Sequence, residues 1–242
     1  MTRYLSKLVE LGALGAWMLD EPSGTTAEDL IGANDGSYNG SYTLAQASLA
    51  ENGDYASVDL AGGSGGGYVS VPNDLSYETA EVTWAVHAHI DAKVTSSDIL
   101  SLRDSNVNNG GFVFAEMQAG GAGRCFFRIL TNWRSVDIAA GDIPIGESAF
   151  WVYRYDGEFA TVFKDGVQVA VSASYPGVIN WGSGTNTLQV GRNPTSAAAR
   201  HNGRVQGVAV FGYALSDAEI LALYQSTVLP SLTPRLSLLG VG

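Results

Sequence analysis

Residues 150–172 read FWVYRYDGEFATVFKDGVQVAVS, and this stretch decides the fold class. It contains three apolar segments, which are separated by Asp156-Gly157 and by Lys164-Asp165-Gly166. Asp-Gly between apolar segments is a strong hairpin signal, because both residues tolerate the backbone conformation of a tight turn. The sequence therefore predicts a three-stranded antiparallel meander over residues 150–172.

A second strand pattern lies upstream, where residues 82–91 read VTWAVHAHID. Apolar residues occupy every second position, which is the period of a half-buried strand, and we expect this set to face a core: Val82, Trp84, Val86, Ala88 and Ile90. Further strand-like runs lie at residues 99–102, 112–117, 125–130, 188–190 and 205–211. With 30 glycines and only 15% charged residues, the composition also favours an all-β class over helical bundles.

The overall composition limits the classes of partner. The chain has 242 residues, 45% of them hydrophobic, which is enough for one large domain. The single cysteine, Cys125, rules out an intrachain disulfide and is expected to be buried. Asp and Glu number 24 against 13 Lys and Arg, so the net charge is -11, and no basic patch is visible in the sequence. We therefore expect no nucleic-acid partner.

Helix signals are confined to the two ends of the chain. Residues 4–11 have apolar side chains at helical spacing and are followed by Gly12, whereas Ser216 and Glu219 form a capping box for a helix that ends near Ser226. No export signal or membrane-inserting segment is readable. The predicted organisation is a helical lead-in at 1–12, one domain at 13–226 and an extended apolar tail at 227–242.

Three further segments carry a resemblance to a known family. Residues 16–29 (AWMLDEPSGTTAED), 188–193 (LQVGRN) and 213–220 (YALSDAEI) resemble the entry strand, a closing strand and the short helix of laminin G-like or concanavalin A-like jelly rolls. The resemblance implies a jelly-roll β-sandwich with short N-terminal and C-terminal helices. The helical lead-in without a signal peptide resembles the versions of this domain in phage virion proteins.

This fold hosts both lectins and glycosidases, so the side chains must decide between them. Glycoside hydrolysis needs two closely placed carboxylates, which related glucanases carry as E-x-D-x-x-E on one strand. Neither Glu78 and Glu81 nor Asp20 and Glu21 match that pattern, and both pairs are interpreted as solvated turn charges. We expect no enzymatic activity.

Metal sites have two candidate origins in the sequence. His87 and His89 point to the same side of one strand, and His201 would be the third ligand; the alternative is a polar strand face. The resemblance implies a calcium ion near Asp29 with an acid in the closing strand, where this chain has Gln206. The alternative for Asp29 is capping of its own loop. We expect no cofactor and no metal site, with calcium left open.

Aromatic residues supply the candidate ligand-binding side chains. Trp181, Trp133 and Tyr175 are placed on loops, where their rings would stack on sugar faces, whereas other tryptophans are assigned to the core. For Trp181 the alternative is a lid over the edge of the sandwich.

The tail carries the candidate partner-binding residues, which are Leu229, Leu232, Leu236, Leu238 and Leu239. So many leucines are too apolar for a free terminus, and we expect the tail to dock onto a neighbouring subunit, which makes the chain oligomeric in its assembly. The alternative is that the tail folds back over its own sandwich.

These observations favour a non-enzymatic structural or accessory protein of a phage virion, either a minor tail subunit or a surface-decoration subunit. It would be made in the host cytoplasm, reside in the virion and contribute adhesion to a host-surface glycan. The alternative is a lectin-like carbohydrate-binding module. A glycoside hydrolase is the least favoured hypothesis.

Overall fold

The structure is a computed structural model, and it describes residues 2–72, 74–103, 110–118, 120–182, 187–195 and 199–229. Within these residues the chain forms two α-helices, α1 (Arg3–Glu10) and α2 (Asp217–Val228), and sixteen strands. The strands are β1 (Gly15–Trp17), β2 (Thr26–Ala27), β3 (Gly36–Asn39), β4 (Tyr42–Gln46), β5 (Ser57–Leu60), β6 (Tyr68–Val71), β7 (Val82–Ala92), β8 (Leu100–Arg103), β9 (Gly111–Met117), β10 (Gly123–Ile129), β11 (Asn132–Ile138), β12 (Ser148–Tyr155), β13 (Ala160–Lys164), β14 (Val167–Val171), β15 (Thr187–Val190) and β16 (Asn202–Phe211). Short 3-10 helices lie at Leu75–Tyr77 and Ala140–Asp142.

The strands form two antiparallel sheets. Sheet I has the order β14-β13-β12-β7-β16-β5-β4, with β1 also paired to β16, and sheet II has the order β11-β10-β9-β8-β15-β6-β3-β2. Neighbours that are distant in sequence, such as β7 beside β16 and β8 beside β15, show that the chain crosses repeatedly between the sheets. The predicted all-β jelly-roll sandwich with short terminal helices is confirmed.

The main core lies between the two sheets and follows the predicted alternation of β7. All five alternate apolar residues of that strand belong to this core, together with Trp17, Trp151 and the buried Cys125. Sheet II contributes the inward-facing residues of its strands, which include Phe112, Phe114 and Phe127.

The predicted meander is also confirmed. β12, β13 and β14 are consecutive antiparallel neighbours at one edge of sheet I. The turn between β13 and β14 consists of Asp165 and Gly166, which have φ values of 53° and 78°. Two consecutive residues with positive φ make a type I′ turn, whose twist matches that of the flanking strands.

The outer face of sheet I is covered by both helices. Tyr4 and Leu8 of α1 and Ile220 and Leu223 of α2 pack with residues such as Phe211 in a second buried cluster. The capping box of α2 is present, since Ser216 accepts from the Glu219 amide and the Glu219 carboxylate accepts from the Ser216 amide. α1 is therefore packed on the sandwich that it precedes.

Helix α2 continues beyond the predicted end near Ser226. It runs to Val228, and Ser226 and Thr227 are buried. The Asn52 amide donates to the Thr227 carbonyl at 3.1 Å, and the Asn52 side chain donates to the Ser226 carbonyl at 3.0 Å. Leu229 is extended and exposed. The other predicted partner-binding residues, Leu232, Leu236, Leu238 and Leu239, lie outside the described residues.

Candidate functional site

The outer face of sheet II carries a row of side chains that runs across five strands. Trp133 of β11 pairs with Arg128 of β10. Phe127 pairs with Phe112, and because these strands are antiparallel, Arg128, which follows Phe127, lies beside Gly111, which precedes Phe112. Gly111 pairs with Arg103 of β8, which pairs with Thr187 of β15. We call this set the Trp133 row: Trp133, Arg128, Gly111, Arg103 and Thr187. At ~4.8 Å per strand it is about 19 Å wide.

Strand alternation explains why the Trp133 row faces outward. Cys125, Phe127 and Ile129 of β10 point into the core, so Arg128 lies on the opposite face. By the same rule Leu102 is inward and Arg103 outward. Arg128 and Arg103 are therefore fixed on strands that are anchored in the core.

Two guanidinium groups lie over one indole ring in the Trp133 row. The Cζ of Arg103 is 5.4 Å from the ring centroid of Trp133, and that of Arg128 is 6.0 Å from it. Gly111 has no side chain between them, which leaves room for the arginines to lie along the sheet. An arginine stacked on an aromatic ring keeps its N–H edge free for hydrogen bonds.

A second arginine–aromatic cluster lies on the same face. The guanidinium groups of Arg192 and Arg200 lie 4.6 Å and 4.4 Å from the ring centroid of Tyr68, and we call these three residues the Tyr68 cluster. Arg200 donates to the Gly66 carbonyl at 3.3 Å. Burial, and then the nearby charge of Arg192, lower the pKa of Arg200 below its ordinary value.

A mostly polar floor lies between the Trp133 row and the Tyr68 cluster. It contains the buried residues Ser101, Val113 and Gln189. The Gln189 side chain donates to Ser70 Oγ at 2.9 Å and to Thr187 Oγ1 at 2.8 Å. Ser101 Oγ donates to the Arg192 carbonyl at 3.1 Å. These bonds join the strands between the clusters and hold the face in one shape.

This face concentrates positive charge in an acidic protein. Besides the four arginines of the two clusters, Arg124 faces outward from β10, where it forms an ion pair with Asp137 of β11. No basic patch is visible in the sequence, whereas the fold places these arginines on one face. Arg103 and Arg128 are brought together by the consecutive strands β8 to β11, whereas Arg192 and Arg200 meet Tyr68 through the pairing of β15 with β6, which is distant in sequence.

The three predicted ligand-binding aromatics are not brought together. Trp133 is on strand β11 rather than on a loop, and it is half-buried. Trp181 is only 6% exposed, belongs to the main core and donates from Nε1 to the Thr79 carbonyl at 2.9 Å, as the lid alternative describes. Tyr175 is half-buried beside Phe127, with the Arg134 guanidinium 4.8 Å from its ring.

Asp29 is bonded to its own loop. Oδ1 accepts from the amides of Ala16 at 2.9 Å, Gly32 at 3.0 Å and Ile31 at 3.2 Å, and Oδ2 accepts from the amide of Asn34 at 3.3 Å. These contacts are those expected of the loop-capping alternative.

Gln206, the residue at the closing-strand position, is buried in a different set of contacts. Its Oε1 accepts from the Leu49 amide at 2.6 Å, and its Nε2 donates to the Tyr55 carbonyl at 3.3 Å. The side-chain oxygens of Asp29 and Gln206, at the two positions where the resemblance places calcium ligands, thus accept hydrogen bonds from backbone amides. Calcium binding stays an untested prediction.

The three histidines do not converge on one point. His87 is buried against Tyr4 and Phe150 on the helix-covered side of sheet I. His89 contacts Asp91 at 3.1 Å, whereas His201 Nε2 lies 3.2 Å from the backbone carbonyl of His89. Across the part of the chain that the structure describes, no group of three or more His, Cys, Asp or Glu side chains is arranged to hold a metal ion.

The acidic turn is more structured than the sequence suggested. Glu21 accepts from the Glu28 amide at 2.8 Å and from the Tyr38 hydroxyl, so it is not simply a solvated charge. Burial, followed by the charge of Glu21, raises the pKa of Asp20 above its usual value. Asp20, Glu21 and Glu28 also border a cavity of about 250 Å³.

A larger cavity of about 310 Å³ lies on the outer side of sheet I. His87 and Phe150 border it on the sheet side, and Glu51, Asp165 and Tyr224 also line it. None of the residues that line this cavity belongs to the arginine clusters of sheet II. Among the residues that the structure describes, no helix is long and apolar enough to cross a membrane.

The solved structures that match this chain include an arabinanase domain, a sialidase and a neurotoxin binding domain. Domain 4 of AbnA, a GH43 extracellular arabinanase from Geobacillus stearothermophilus, in complex with arabinotriose, matches with a TM-score of 0.61 and 12% identity over 88% of this chain and 98% of that one. Trypanosoma rangeli sialidase matches with a TM-score of 0.60 and 12% identity over 88% of this chain and 32% of that one. The binding domain of botulinum neurotoxin serotype D matches with a TM-score of 0.62 and 10% identity over 90% and 52%. At these identities the likeness shows the fold alone.

Comparison at the sequence level gives the family. A search of curated proteins finds no match to the chain. The family model of the concanavalin A-like lectin/glucanases superfamily, of the laminin G type, matches residues 62–221, which include most of both sheets and the start of α2. The chain belongs to the concanavalin A-like lectin/glucanases superfamily.

Proposed function

We propose that this chain is a non-enzymatic carbohydrate-binding module and that it binds its glycan on the outer face of sheet II. The observation that carries the proposal is the Trp133 row, in which a half-buried indole and two guanidinium groups are fixed side by side on paired strands. The family is one of lectins and glucanases, and a structural neighbour that spans the same length is a complex with arabinotriose.

The chemistry of the row suits a sugar. A sugar ring has an apolar face that packs on an aromatic ring and a rim of hydroxyl groups that accept hydrogen bonds. Trp133 supplies the ring and Arg128 supplies donors beside it. Because both residues are on strands and not on loops, little conformational entropy is lost when a ligand binds.

Removing the indole should abolish most of the binding. We expect Trp133→Ala to weaken binding of the best oligosaccharide in a glycan panel at least tenfold, which corresponds to the ~1.4 kcal/mol that a lost stacking contact contributes. Trp133→Phe keeps a ring and should retain part of the affinity. Titration calorimetry on the full chain measures both, and the same oligosaccharides should be recovered uncleaved.

The control for this experiment is Val167→Ala, which shortens an exposed apolar side chain on β14 of sheet I. It should bind like the unmodified chain. Binding that is equal in Trp133→Ala and Val167→Ala would contradict the assignment of the site to sheet II. Cleavage of the oligosaccharide that Asp20→Asn or Glu21→Gln abolishes would show an enzyme instead.

For the biological setting, we propose that the module is an accessory subunit of a phage particle that adheres to host-surface glycans. The support is the resemblance of the helical lead-in at 1–12 to versions of this domain in phage virion proteins, together with the apolar tail that Leu229 begins. Mass spectrometry of purified particles should find the chain in stoichiometric amount, and a chain that ends after Leu229 should keep its melting temperature but be absent from the particles. Full-length chain found only outside purified particles would contradict this setting.

A further inference from the structure

Two guanidinium groups on the outer face of sheet II, those of Arg128 and Arg192, have few protein partners. Arg128 and Arg192 form no ion pair within the described residues. Arg128 donates once, to the Thr131 carbonyl at 3.3 Å, and both side chains are half-buried on the outer face. Half-buried guanidinium groups without a protein carboxylate keep most of their five donors for a ligand.

An aromatic ring lies beside each pair of guanidinium groups. The Cζ atoms are 4.4–4.6 Å from the ring centroid of Tyr68 and 5.4–6.0 Å from that of Trp133. A guanidinium group beside a ring still presents N–H groups, whose planar fork matches the geometry of a carboxylate or sulfate. A carboxylate or sulfate forms charge-assisted hydrogen bonds with Arg128 and Arg192, which are stronger than those of a neutral sugar hydroxyl.

We propose that the ligand of this face is an acidic oligosaccharide, whose carboxylate or sulfate groups are bound at the Trp133 row and at the Tyr68 cluster. This inference rests on the proposed function, since it names the ligand class of the same face. Tyr68 stands opposite position 191, because its neighbour Val69 pairs with Val190, whereas Arg103 pairs with Thr187. Arg103 is therefore about 13 Å along the strands and about 10 Å across them from Tyr68, and Arg128 lies two strands further away, so a ligand that reaches both anion positions must be an oligosaccharide.

A nucleic acid is a poorer fit to the same charges. The protein carries a net charge of -11, and a long polyanion that left the two clusters would meet this negative field. The arginines occupy two confined points and not a continuous track. A short, intermittently charged saccharide fits this distribution better than a continuous phosphate backbone.

The test is a titration of the full chain at low salt with four probes: oligogalacturonate, chondroitin sulfate oligosaccharides, neutral galactan oligosaccharides of matched length and single-stranded DNA. We expect one or both acidic saccharides to bind at least tenfold more tightly than the neutral one, with affinity that falls as salt is added. The carboxylated and sulfated probes show which anionic group is preferred.

Substitutions connect the preference to the arginines. Arg192→Gln and Arg128→Gln should each weaken acidic-saccharide binding roughly 10- to 100-fold, because each removes charge-assisted hydrogen bonds. Arg192→Lys keeps the charge but loses the planar fork, and should fall between Arg192→Gln and the unmodified chain. Arg204→Gln on sheet I is the matched control and should change nothing, and unchanged melting temperatures confirm that each variant is folded.

Each contrary outcome has a distinct meaning. Neutral galactan that binds as tightly as the acidic probes, through Trp133 but not through the arginines, would overturn this inference and leave the proposed function in place. DNA that binds more tightly than either acidic saccharide would overturn it in favour of nucleic acid. No binding of any saccharide would overturn both proposals.

Discussion

Acidification from pH ~7.5 to ~5 should lower the free energy of unfolding by about 4 kcal/mol through two buried histidines. Burial lowers the pKa of His87 to about 3. Burial also lowers the pKa of His201 to about 4, although hydrogen bonds to the backbone of His89 and Arg204 oppose the shift. In the unfolded chain both histidines bind a proton below about pH 6.5.

The sign of the effect follows from where the protons bind. Between pH ~6.5 and ~4 the unfolded chain holds more protons than the folded one, so stability falls as the pH decreases. Each histidine contributes ~1.4 kcal/mol per pH unit in this window. At His87, no ion pair with a carboxylate in the described part of the chain stabilises the charged form of the ring, whose neighbours are Tyr4 and Phe150. Glu51 and Asp165 are the carboxylates that border the same cavity.

Urea unfolding at several pH values measures this dependence. His87→Leu and His201→Leu should each remove about half of the histidine-dependent loss, and the double variant should remove nearly all of it. Comparing variants with the unmodified chain subtracts the titration of carboxyl groups such as Asp20 and Asp59, whose pKa values are raised by burial. A pH dependence that is identical in all four proteins would contradict the burial of these rings.

Leu8→Ala should destabilise the protein by about 3 kcal/mol, because Leu8 is fully buried between α1 and sheet I. The same helix offers a matched control in Val9, which is 51% exposed, and Val9→Ala should cost less than about 0.5 kcal/mol. Urea unfolding at neutral pH compares the two variants. Equal, small losses would show that α1 is not docked on the sandwich in solution.

Local sequence patterns were sufficient for elements whose signals are local. The alternation in β7 set its inward residues because one face of the strand is packed on the main core. Asp165-Gly166 marked a hairpin because both residues adopt positive φ. Ser216 and Glu219 marked the start of α2 because they bond to each other's backbone amides.

The strand that carries Trp133 was missed for a physical reason. β11 is an edge strand, so only its second half, at Val136 and Ile138, needs inward apolar residues. The turn before it contains Leu130 with a φ of 54°, a conformation that glycine or asparagine usually occupies, so no turn signal is present. The outward alternation of Trp133, Ser135 and Asp137 was the one available indication.

The two arginine clusters have different origins in the fold. Arg103 and Arg128 lie near one ring because β8 to β11 are consecutive antiparallel neighbours, and the sequence did not show the register that aligns them. Arg192 and Arg200 lie near Tyr68 because β15 pairs with β6, a crossing between distant segments that no local periodicity specifies. Trp181 was ambiguous for a related reason, since its hydrogen-bond partner Thr79 is distant in sequence.

Chemical-shift mapping with an acidic oligosaccharide tests the central claim most directly, because it reports where the ligand binds as well as whether it binds. The account predicts that the largest shifts fall on the Trp133 indole and on the side chains of Arg128 and Arg192, with the Tyr68 ring also affected. Shifts that are confined to His87, Glu51 and Tyr224 around the cavity on sheet I, with none at Trp133, would contradict it.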